Sequence, residues 1–174
     1  MAAQVGPLGL LATVGDDLHA RLRTAEATDL SRVTRVLTAT RSEQIPPEET
    51  NTVVRDLKRF LSLNLLVQNP DYDFVPSFKI DLAWHEFILH TREYCDFCDG
   101  LVGRYIHHSP AESRAESRAQ VSGEPFFYTK TKLREFYGAM PPFIWGIPGA
   151  CDTAAVCNSH LLEPMRGAWA RPER

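Results

Sequence analysis

Asp81 and His85 stand four residues apart in a stretch with helical apolar spacing. On a helix this places them one turn apart, offset by about 40°. A carboxylate so placed can hydrogen-bond a ring nitrogen, fix the imidazole tautomer and favour its protonated form. Arg92, seven residues past His85, shares that side of a continuous helix, and Trp84 stands beside it on the apolar stripe. Downstream, His107 and His108 are adjacent in GRYIHHSP. Two arrangements of these residues compete. In one, Asp81, Trp84, His85, Arg92 and His108 form a structural polar network that ties the helix to the 105–110 turn. In the other, Asp81 and His85 are metal ligands completed by His107 or His108, a donor set that suits zinc or a similar ion. Cys98 with His85 or His107 is a variant of the second. The cofactor is accordingly either none or zinc.

Nearby patterns carry less. His85-Glu86 is followed by His90, which gives HExxxH rather than HExxH, and a five-residue step turns His90 about 140° away. Cys95-Asp96-Phe97-Cys98 is a lone CxxC, and Cys151 and Cys157 are too widely spaced to complete a zinc knuckle. Both CxxC thiols face the helical stripe, where free cysteine packs as a small apolar residue. No GxSxG, Walker sequence or GxGxxG occurs, so the chain holds no recognisable hydrolase elbow or phosphate loop.

A formal charge of -3 and the lack of aromatics interleaved with basic residues argue against nucleic acid as a partner. No apolar run approaches the ~20 residues of a membrane span. The first residues carry no Lys or Arg ahead of their apolar part, so a secretory signal is not expected and a cytoplasmic protein with reduced thiols is.

Helices must position these groups. Ile80, Trp84, Phe87, Ile88, Thr91, Tyr94, Cys95 and Cys98 recur at three- and four-residue steps, which predicts one long amphipathic helix over about 77–99 with Ser77 as its cap. Gly100 or Gly103 should loosen its end. Val53, Leu57, Phe60, Leu61 and Leu65 predict a second helix over 47–68, entered through Pro46-Pro47-Glu48-Glu49. Its Arg55, Lys58 and Arg59 read as a solvated face. Shorter helices are expected from Asp16, from Thr28 or Asp29, and from Thr129 or Thr131 to a stop at Gly138. AESRAESRA at 111–119 repeats without large apolar residues and reads as an exposed loop or frayed helix.

The motifs RDLKRFLSL at 55–63, VPSFKIDLAWHEFIL at 75–89, Thr91, Tyr94 and Cys98, GRYIHHSP at 103–110 and TKTKLREFYG at 129–138 together resemble the glycine-rich-domain-containing protein-like family. The compound signature DxxWH, then TxxYxxxC, then HH-x-P carries the resemblance, which covers about half the chain. It implies a helical domain in which Asp81, Trp84, His85 and His108 matter, and it supplies no reaction. Plant members carry a longer glycine-rich part and are associated with stress responses. This sequence has no such tract, so that role is not carried over. Many members have a second histidine where Phe87 stands here.

The expected architecture is all-α, a compact helical domain centred on helix 77–99 packed against helix 47–68. An N-terminal helical segment at 1–45 precedes a core at 46–140, and a Pro- and Gly-rich tail at 141–174 lies over that core. The expected function is a non-catalytic module that binds a protein partner, with PFFY at 125–128 as aromatic anchors. A metal-binding domain, with or without enzymatic activity, is the alternative.

Overall fold

The computed structural model describes residues 5–110, 123–149 and 151–152. The tandem repeat at 111–119, Cys157, Trp169 and the rest of the tail from 153 lie outside the described residues. Helices dominate what is described, and the domain is all-α as its sequence periodicity implies. A short 3-10 helix at Pro7–Gly9 leads to α1 (Asp16–Ala27), α2 (Ser31–Thr40), α3 (Thr50–Leu66), α4 (Phe78–Leu89) and α5 (Thr91–Val102). After these come α6 (Glu124–Tyr137) and the single turn α7 (Pro142–Trp145). Two-residue strands, β1 (Ser109–Pro110) and β2 (Cys151–Asp152), pair antiparallel.

Helix α3 packs against α1, α2, α4, α5 and α6, and Val53, Leu57, Phe60 and Leu61 on its inner face are fully buried. Ser77 caps α4 through a hydrogen bond from the Ile80 amide. Gly103 ends α5 with φ 72, a left-handed conformation that glycine adopts without a Cβ penalty.

The expected single helix over 77–99 is two helices. His90, at φ -82 and ψ 62, ends α4 and begins α5. No proline or glycine marks the break, and tertiary packing accounts for it. The bend sends α5 onto α1 while α4 stays on α3 and α2. It also brings Phe87 edge-on to both Tyr94 and Phe97, with ring centroids 5.0 and 5.4 Å apart. The last long helix starts earlier than expected, at Glu124, because Pro125 fits the first helical turn. Phe126 is therefore buried on that helix while Phe127 projects outward.

Of the basic run on α3 only Arg55 is solvated, with its side chain 46% exposed. Lys58 is buried, and its Nζ donates to the carbonyls of Glu26 (2.7 Å) and Thr28 (2.6 Å), closing the C-terminal end of α1. Burial holds the Lys58 ammonium pKa below its usual range. Arg59 donates to the Leu8 carbonyl and to the carboxylate of Asp56, which is completely buried. The other Asp56 oxygen accepts from the indole of Trp145 at 3.0 Å. Trp145 thus lies in the core, not over it.

A second buried pair gives a pH prediction. The hydroxyls of Ser62 and Tyr137 share a 2.5 Å hydrogen bond, and Arg59 lies over the Tyr137 ring. Burial pushes the Tyr137 phenol from 10.0 up to about 12. Between those values the unfolded chain binds fewer protons than the folded one, so stability falls as pH rises through that window and the full contribution is present below it. Denaturant titrations from pH 9 to 12 should show the wild-type protein losing on the order of 2 kcal/mol relative to Tyr137→Phe. Parallel pH profiles for the two proteins would contradict this.

Candidate metal centre

The first two turns of α4 carry Asp81 and His85, and the extended run after α5 carries His108. Two contacts fix that run. The Trp84 indole donates to the Tyr94 hydroxyl (2.9 Å), which donates to the Ile106 carbonyl (2.6 Å), two residues before His108. The Trp84 ring then stands against the His108 imidazole with centroids 4.5 Å apart.

Nε2 of His108 lies 3.1 Å from Oδ1 of Asp81, and Nδ1 of His85 lies 3.2 Å from the same oxygen. Nδ1 of His85 is also 2.7 Å from the Asp81 main-chain carbonyl. A carbonyl only accepts, so in this arrangement that nitrogen carries the ring proton. The two imidazoles meet edge to face with centroids 4.2 Å apart. One donor atom from each of Asp81, His85 and His108 falls within 4.8 Å of the other two. Asp81 and His108 side chains are nearly closed off, at 10% and 8% exposure, while that of His85 is 52% exposed. The cluster is therefore walled on one side and open on the other.

Ligands bound at 2.0–2.1 Å in a tetrahedron are separated by about 3.3 Å. The two contacts to Asp81 come within a few tenths of that spacing, and for His85 to ligate through Nδ1 that nitrogen would have to give up its proton and its bond to the Asp81 carbonyl. One carboxylate and two imidazoles form a donor set for zinc or a similar cation. With three protein ligands, the remaining position would hold water, whose acidity a bound ion raises. Three cavities are lined by other described residues. One of about 580 Å³ is formed by the N-terminal segment and α1, one of about 360 Å³ by that segment, α1 and α3, and one of about 250 Å³ by Asp29, Phe87, His90 and their neighbours. None of these three is lined by Asp81, His85 or His108.

The other candidates from the sequence stand apart. Arg92 is exposed on α5, because the break at His90 ends the register that joined it to His85. Cys98 is buried, and desolvation pushes its thiol up to about 11, which disfavours the thiolate a metal requires. The His107 ring packs on Tyr105 with centroids 5.0 Å apart, and of the two adjacent histidines it is His108 that stands beside Asp81 and His85. Phe87, where many members of the resembling family have histidine, is fully buried among aromatic rings. Asp56 was missed, although it lies three residues after Val53 and four before Phe60, in line with the buried stripe.

Residues 20–134 match the model of the UCP032817-like family. The chain belongs to that family. Its matched span contains all three residues of the cluster and runs from within α1 to within α6. The family is uncharacterised, so membership assigns no reaction. No curated protein and no solved structure matches the chain.

Proposed function

We propose that this domain binds a divalent transition-metal ion, zinc or one of similar preference, through Asp81, His85 and His108. The observation that carries the proposal is the convergence of three donor atoms from two separate segments within 4.8 Å, with a half-exposed imidazole on the open side. The likeness of 75–110 to the glycine-rich-domain-containing protein-like family supports it, since its signature includes all three residues. Protein purified without a His tag should retain roughly one equivalent of metal by elemental analysis after zinc loading and dialysis. His85→Ala and His108→Ala should each lose most of it. Less than about a tenth of an equivalent in the wild-type protein, unaltered by either substitution, would leave only a structural network.

Exposed apolar side chains favour a second reading, a protein-interaction module. Phe127, Phe143 and Ile147 are 65%, 54% and 69% exposed. A pull-down with the folded domain should then enrich a protein that a Phe143→Ser, Ile147→Ser double variant does not retain. Recovery of nothing above background removes this reading.

A further inference from the structure

The ligands of the proposed centre come from two segments that the chain does not join directly. Asp81 and His85 lie on α4, and His108 follows α5. One short stretch pairs with both. The Phe78 amide donates to the Ile147 carbonyl (2.9 Å), the Gly149 amide donates to the Pro76 carbonyl (2.8 Å), and Ser77 bridges Pro148. Then β2 pairs with β1, in the register Ser109 to Asp152 and Pro110 to Cys151, directly after His108.

Gly149 is the point of closest approach. A Cβ there would lie 2.9 Å from the Asp81 Cβ and 3.2 Å from the Pro76 carbonyl oxygen. Any side chain at this position must displace either the stretch or Asp81. Upstream, Ile144 and Trp145 are buried anchors, but Ile147 is 69% exposed. Between Trp145 and Gly149 the described hydrogen bonds to the rest of the fold are main-chain ones, and such a segment can open without global unfolding.

We propose that residues 147–149, with the 151–152 strand, are a strap that completes the metal centre, with Gly149 as the positioning residue for Asp81. The inference rests on metal binding by Asp81, His85 and His108. A docked strap holds the two ligand-bearing segments in one geometry, so the ion binds the docked form more tightly. By reciprocity the ion must favour docking by the same factor.

Two measurements on the full-length, untagged protein test this. Zinc titration against a competing chelator should show Gly149→Ala weakened about 10- to 100-fold. Gly15→Ala, at a position with open space around it, should bind as the wild type does. In the wild-type protein, saturating zinc should slow amide hydrogen exchange at Phe78 and Gly149. This second readout needs no variant and stands even if Gly149→Ala folds poorly. Equal zinc affinity in Gly149→Ala and wild type, or unchanged exchange at both amides when zinc is bound, would overturn the strap while leaving the metal centre intact. A wild-type protein that takes up no zinc would overturn both.

Discussion

Truncation of Trp84 to alanine is expected to destabilise the domain by about 3–5 kcal/mol, as for other fully buried large aromatic residues. The indole is completely buried, stands edge-on to Phe60 at 5.5 Å, and lies against His108. A cavity would open between α3 and α4, which shallow relaxation cannot refill. The Tyr94 hydroxyl would also lose its donor, and with it part of what orders the Ile106–His108 run. The same substitution should therefore weaken zinc binding as well as stability. Urea denaturation of the two proteins measures the first effect, and a loss below about 1 kcal/mol would show that Trp84 does not anchor the helix contact.

Asp56→Ala should have an effect of similar size, about 3–5 kcal/mol, for a different reason. The carboxylate is completely buried and receives Arg59 and Arg55 on one oxygen and the Trp145 indole on the other. Removing it leaves the mostly buried Arg59 guanidinium without its counter-charge and a buried indole N–H without an acceptor. Burial already holds the Arg59 pKa below its usual range, and Asp56 is the main group that opposes this. Asp56→Asn keeps an acceptor for Trp145 but not the charge, so it should fall between wild type and Asp56→Ala. If Asp56→Ala unfolds at the same denaturant concentration as wild type, the network contributes nothing to stability.

The sequence carried the local signals well and the long-range ones poorly. The apolar stripe of α4 and α5, the Ser77 cap and the Gly103 and Gly138 stops each depend on residues within a turn or two, and they appear in the fold except that Thr91 is exposed and Cys95 half-buried. The break at His90 depends on α5 packing onto α1 as well as α3, and no residue near it announces that. Lys58 looks like a solubilising charge until α1 ends against it, thirty residues away in sequence. Asp56 had a usable signal that the sequence reading does not take up, since a carboxylate in line with Val53 and Phe60 is buried if the stripe is. For the candidate site, helical spacing was enough to pair Asp81 with His85. Choosing His108 over His107 required the backbone direction set by Tyr94 and Ile106, which spacing does not encode.

X-ray absorption at the zinc edge of the untagged, zinc-loaded protein tests the metal centre most directly. The expected spectrum shows nitrogen and oxygen neighbours at about 2.0–2.1 Å with outer-shell scattering from two imidazoles. A sulfur shell at about 2.3 Å, or a first shell without imidazole, would contradict ligation by Asp81, His85 and His108.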